Sequence, residues 1–195
     1  MRVFAVACVM LAIAACASGR GRVAELQPLA PGVTMALPAS PAFGDGDDVM
    51  QLVQVRYQGH QQMFQSVIRS KDGHFTVVMS VPSGPRIMRI DWTTDNVTAK
   101  KEVLAPAGLS PERMLADLML VYGAGDAVRK SIEGAVFVEP YPTTRKVIKD
   151  GKVLIEVTRP QGDIWSGRAS IINHAFDYQL AIQSQRAQSQ RAADD

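Results

Sequence analysis

Apolar and polar positions alternate along most of this chain, and the places where the alternation stops divide it into elements. From Val49 it predicts strands over Val49–Tyr57, Gln61–Arg69 and His74–Val81, separated by Gln58-Gly59-His60 and Ser70-Lys71-Asp72-Gly73. Asp72-Gly73 between two apolar runs is a hairpin signal, because a tight two-residue turn needs positive φ. Arg86–Trp92 has the clearest period of two: Met88, Ile90 and Trp92 on one face, Arg89 and Asp91 on the other. Thr93-Thr94-Asp95-Asn96 turns the chain into a strand at Val97–Leu104.

The period then changes. Ser110 suits an N-cap, Pro111 the first helical position and Glu112 the positive end of the dipole. Leu115, Leu118, Met119 and Tyr122 follow with i, i+3, i+4, i+7 spacing, one apolar stripe ended by Gly123 and Gly125. A second short helix is expected from an Asp126 cap to a Gly134 stop, with Val128 and Ile132 inward. Strands resume at Ala135–Glu139, Thr144–Lys149, Lys152–Arg159 after an Asp150-Gly151 turn, Ser170–Asn173 and Tyr178–Ile182. Strands, helices, strands with local connections describe a mainly β, α+β fold: nine or ten antiparallel strands that curl or pack on helices to hide one apolar face.

Both ends differ from this middle. Residues 17–47 carry Pro28, Pro31, Pro38 and Pro41, several glycines and no sustained period, with a short element at most around Val33–Leu37. They read as a flexible tether. Gln-Ser-Gln-Arg-Ala occurs twice, at 183–187 and 188–192, and offers nothing to bury, so 183–195 reads as a disordered tail. At the start, Arg2 precedes an apolar run from Val3 to Ile13, too short for a membrane span and matched to a secretory signal peptide over residues 1–15. The run closes on Ile13-Ala14-Ala15-Cys16. That tetrapeptide resembles a bacterial lipoprotein box, which implies a diacylglyceryl group on the Cys16 sulfur, cleavage before Cys16 and an acylated new N-terminus. Ala17 and Ser18 follow, with no Asp after the cysteine. By the sorting rule of enteric lipoproteins this implies the outer membrane, facing the periplasm. Lipid at one end anchors a protein to a membrane without inserting it.

Composition narrows the chemistry. Cleavage would remove one cation, Arg2, from 21 Lys and Arg set against 19 Asp and Glu, leaving a near-neutral chain. With no basic stripe interleaved with aromatics, nucleic acid is not an expected partner. Cys8 would leave with the signal, so Cys16 would remain alone: no disulfide, no catalytic thiol, no thiolate metal site. His60, His74 and His174 have no metal-ligand spacing. Ser166 in Trp165-Ser166-Gly167-Arg168 lacks a nucleophile elbow, and no phosphate-binding glycine loop is present. Asp45, Asp47 and Asp48 share a Gly-rich loop whose plain reading is solvation. No enzyme activity, cofactor or metal is expected, and the chain is expected to act as a monomer. Seven methionines would survive cleavage, and on composition alone they read as core filling.

Residues 63–181 resemble an uncharacterised family of bacterial lipoproteins encoded with aryl-polyene or xanthomonadin-type pigment genes. The carrying residues are Val81-Pro82-Ser83-Gly84-Pro85-Arg86, Leu115-Ala116-Asp117-Leu118-Met119-Leu120, Asp163-Ile164-Trp165-Ser166-Gly167-Arg168 and Tyr178-Gln179-Leu180. That family is similar to the outer-membrane lipoprotein receptor LolB and its carrier LolA. The resemblance implies an incomplete antiparallel barrel over residues 48–182 with a helical lid over an apolar cavity, lined here by Met63, Met79, Met88, Ile90, Trp92, Leu115 and Met119. It implies binding of a lipid, a lipoprotein acyl chain or an aryl-polyene-type ligand for transfer or display. The receptor's membrane-probing Pro-Leu-Gly turn is matched by Pro82-Ser83-Gly84, where serine supplies no apolar probe. The alternative expectation is a scaffold that docks pigment-synthesis or envelope proteins, marked by an exposed apolar patch outside the sheet.

Overall fold

The computed structural model describes residues 20–23, 26–43, 46–106 and 108–187. Cys16, the 1–15 signal, Asp45 and the last residues of the 183–195 tail lie outside them.

Strands appear in the order β1 (Arg20–Arg22), β2 (Leu26–Ala30), β3 (Val33–Ala36), β4 (Gly46–Tyr57), β5 (His60–Lys71), β6 (His74–Ser80), β7 (Arg86–Trp92) and β8 (Val97–Lys101). Helices α1 (Pro111–Tyr122) and α2 (Gly125–Ser131) follow. The chain then forms β9 (Ile132–Glu133), β10 (Val136–Tyr141), β11 (Thr144–Lys149), β12 (Lys152–Thr158), β13 (Gly167–Asn173) and β14 (Tyr178–Arg186).

Two meanders, β4 to β8 and β10 to β14, build most of an eleven-stranded antiparallel sheet. They meet where β14 pairs with β4, from Tyr178 opposite Tyr57 to Arg186 opposite Val49. The sheet runs β1-β8-β7-β6-β5-β4-β14-β13-β12-β11-β10 and does not close, because β1 and β10 remain its edges. It is mainly β with two short helices, an incomplete barrel. The turns fix the hairpin register: Asp72 and Gly73 have φ of 51° and 73°, and Asp150 and Gly151 have 50° and 71°.

The helices fill the hollow. The Ser110 hydroxyl accepts a hydrogen bond from the Arg113 N–H at 3.2 Å, which caps α1 as its sequence predicts. All of Leu115 to Tyr122 is buried, not one stripe alone. The reason lies in residues 26–43, expected within the tether. Among them β2 and β3 pair with each other and β3 with β9 as a second, three-stranded sheet, and β2 packs on α1. Leu29, Ala30, Val33 and Met35 are buried there, so this segment is a strap over the helix. Its prolines interrupt little, since Pro28 lies in β2 and Pro31 at the following turn. Phe43 then stacks on Phe75 with ring centroids 4.3 Å apart and meets Trp92 edge-on at 5.8 Å, contacts worth about 0.5–1.5 kcal/mol each beyond burial.

Further boundaries shift, among them that of the second helix, which ends at Ser131 and gives way to β9 before Gly134. Ala124, without a side-chain cap bond, precedes α2, and Asp126 stands in its first turn. β8 ends at Lys101, and Val103 and Leu104 form a turn. β14 continues to Arg186, so Gln183–Arg186 are strand where the repeat suggested a tail. The backbone ladder with β4 orders residues whose side chains alone gave no signal.

Candidate functional site

α1 meets the inner face of the large sheet through three buried polar clusters. At its C-terminal end the chain offers no basic residue in the last turn, yet the final carbonyls need donors. Arg145 on β11 supplies them from across the fold. Its Nη1 donates to the Leu120 carbonyl at 2.6 Å, its Nη2 to the Gly123 carbonyl at 2.8 Å and its Nε to Glu139 Oε1 at 2.7 Å. The side chain is fully buried, and burial pushes its pKa down while Glu139 opposes that. A cation here also suits the negative end of the helix dipole.

The second cluster joins Tyr122 to the sheet. Gln51 Nε2 on β4 donates to the Tyr122 hydroxyl at 2.7 Å and to Ser184 Oγ at 3.0 Å, while Ser66 Oγ donates to Gln51 Oε1 at 3.2 Å. The Tyr122 ring stacks on Trp165 at 4.6 Å. The third cluster surrounds Asp117. The Tyr178 hydroxyl donates to Asp117 Oδ1 at 2.6 Å, and Asn173 Nδ2 donates to the Leu29 carbonyl in the strap at 3.0 Å. Burial pushes the Asp117 carboxyl up to about 7, against the opposing pull of the Tyr178 hydrogen bond and the Arg113 charge.

Between these clusters lie most of the residues expected around a cavity. Met88, Ile90, Trp92, Leu115 and Met119 each have 0% exposure, and Met79 is also buried. A side chain lining even a water-sized void would retain accessible surface. In this fold Met88, Ile90, Trp92, Leu115 and Met119 lie within one buried cluster and line no open space. The filled interior has a physical cause: the strap and Phe43 enter the hollow that a free tether would leave empty. Met63, the seventh, is on the opposite face and 43% exposed, because its β5 neighbour Phe64 takes the inward position.

That outer face carries an apolar patch. Met50, Leu52, Met63 and Val67 are all exposed, with Met50 directly opposite Val67. Beside them a groove of about 390 Å³ is lined by Leu52, Met63, Thr158, Arg168, Ala181 and neighbours. Around it the outward positions are rich in glutamine. Arg56 donates to Gln61 and Arg168 to Gln183, each at 3.1 Å, so these two cations are bonded to amides instead of carboxylates. Arg69 is held by Asp48, the one described acidic side chain on β4, β5, β13 or β14.

Other candidate residues stand apart. His60 and His74 are exposed at the first positions of β5 and β6, and His174 bonds Glu156 at 3.0 Å. Ser166 is exposed in the turn after Asp163. Pro82-Ser83-Gly84 is an exposed turn with Ser83 at φ 54°. Arg145, Gln51 and Ser184 were invisible to sequence reasoning, since each reads as an ordinary strand polar residue. The only local trace is the missing basic residue at the end of α1.

No curated protein matches this chain. A family of proteins of unknown function, DUF3261, matches residues 48–186, from the third residue of β4 to the last residue of β14. The chain belongs to the DUF3261 family.

Proposed function

We propose that the protein is an envelope lipoprotein, anchored through acyl groups on Cys16 in the outer membrane and facing the periplasm, that holds a partner protein against the outer face of its sheet. The patch of Met50, Leu52, Met63 and Val67 carries this reading. Contiguous apolar side chains left outside a protein with a filled core mark an interaction surface. Arg56 and Arg168 at its rim, with Asp48 already paired, favour a partner whose apolar centre has an acidic edge. A photo-crosslinking residue at Leu52 in the native cell should give one discrete adduct. Arg56→Glu with Arg168→Glu should weaken it, and the same probe at His74 should give none. Equal labelling at both positions, or indifference to charge reversal, would overturn the reading. The anchor is tested separately: the intact mass of the purified protein should show acyl groups, and Cys16→Ser should release it from membranes.

A second reading is a lipid or polyene carrier with α1 as its lid, in the manner of the LolA and LolB fold. The three polar clusters favour it, because a helix latched at discrete points can be released at them. Release would also have to move the strap. Native mass spectrometry tests this: Arg145→Met should raise the fraction carrying an aliphatic passenger, and a protein that is empty in both forms would rule it out.

A further inference from the structure

The chain enters the large sheet at Arg20, whose register partner is Lys100 near the end of β8. Beyond Lys101 the chain turns, and the two residues at that turn are the most exposed large apolar side chains described: Val103 at 84% and Leu104 at 72%. Nothing in the packing requires them to be apolar. The turn is tied down at its base, where the Glu102 N–H donates to the Ile87 carbonyl and the Ala105 N–H to the Glu102 carbonyl, so it projects as a fixed feature. Its flanks are basic. Arg86 and Lys100 share one carboxylate, Glu102, at 3.0 and 3.4 Å, giving two cations to one anion.

Position along the chain adds a second observation. Three residues separate Cys16 from Arg20, and those four residue steps span at most roughly 14 Å when extended. β1 runs antiparallel to β8, so Arg20 stands at the end of β1 that adjoins the Val103–Leu104 turn. If acyl groups on Cys16 hold the chain to a bilayer, this end of the sheet lies within reach of it. The Asp72–Gly73 turn, at the far ends of β5 and β6, does not.

We propose that Val103 and Leu104, with Arg86 and Lys100, form a contact site for an anionic bilayer surface that orients the domain on its membrane. This rests on the anchor reading for its biological setting, but the contact itself is independent of acylation. Apolar side chains at the tip enter the headgroup region, while the cations behind them face lipid phosphates. In this orientation the end of the sheet that carries the start of β1 and the end of β8 faces the membrane.

The test uses the chain carrying Cys16→Ser, which cannot be acylated, floated with vesicles containing phosphatidylglycerol or made of phosphatidylcholine alone. Partitioning should favour the anionic vesicles, weaken with salt, and fall at least tenfold in Val103→Ser/Leu104→Ser. Both residues are exposed, so the double variant should keep its thermal midpoint, which confirms that it folds. Arg86→Gln/Lys100→Gln should remove most of the preference for anionic lipid. Unchanged or undetectable partitioning of the parent and double variant would overturn the site. So would a self-associated form, seen by sedimentation, that the double variant dissolves without loss of vesicle binding. Failure of acylation in the unmodified protein would show in its intact mass and would leave this result standing.

Discussion

Strands β4 and β5 present two faces built on the same alternation with opposite outcomes. Inward, Val49, Val53, Phe64 and Ile68 are buried together with Gln51 and Ser66. Outward, Met50, Leu52, Met63 and Val67 are as apolar but exposed. Hydrophobicity alone therefore does not decide which face is the interior here. The helix and the strap decide it, by covering one side and bringing polar partners that make buried Gln51 and Ser66 tolerable. The uncovered face has the composition of a surface that something else covers.

The inner face breaks most readily at Arg145. Replacing it with Met leaves the last carbonyls of α1 without donors, and losing one side of a buried charged cluster costs about 3–5 kcal/mol. Urea denaturation should show that loss, with Glu139 still paired to Arg159 at 3.5 Å and so not the cause. Asp117 should give a smaller effect, visible as a dependence on pH. In the unfolded chain its carboxyl ionises near the ordinary value, while in the fold it holds its proton up to about 7. Between those values the unfolded state binds fewer protons, so raising pH lowers stability, and the decline ends above the folded value. Tyr178 and Arg113 face the carboxyl and moderate the shift without reversing it. Urea midpoints at about pH 4.5 and about pH 7.5 should differ in the parent protein and converge in Asp117→Asn. Tyr122→Phe removes one hydroxyl but keeps the stack on Trp165 and leaves Gln51 bonded to Ser184, a loss of about 1 kcal/mol by the same measurement. The outer face should be nearly silent: Met50→Ser with Met63→Ser should change stability by less than about 0.5 kcal/mol per site while abolishing the adduct formed from the probe at Leu52. A large stability loss from that pair would mean the outer patch belongs to the core.

Local rules made much of this fold legible. The Asp-Gly turns, the period of Arg86–Trp92 and the Ser110-Pro111-Glu112 start of α1 each depend on a few adjacent residues, and each appears where those residues place it. Of the strap only the short element around Val33–Leu37 showed, as β3; the rest did not, because Leu29, Ala30, Val33 and Met35 become a buried set only after α1 exists to receive them. The cap at Arg145 is equally remote, joining residues more than twenty positions apart. Met63 failed for a different reason: methionine fits either face, and a one-residue step on a strand exchanges inside for outside.

The seam between β4 and β14 sets a schedule for the molecule. Val49 pairs with Arg186, so nearly the whole domain must be synthesised, and exported if it is secreted, before the two meanders can join. Until then the partial sheet carries an open edge along β4, twelve residues long and lined by apolar side chains on both faces. Edges of that kind attract other chains. A chain ending at Ile182 would lack the pairs from Gln183 to Arg186 and retain part of that edge permanently. The plain glutamine-rich stretch that closes β14 is therefore the clasp that ends the protein's most aggregation-prone interval.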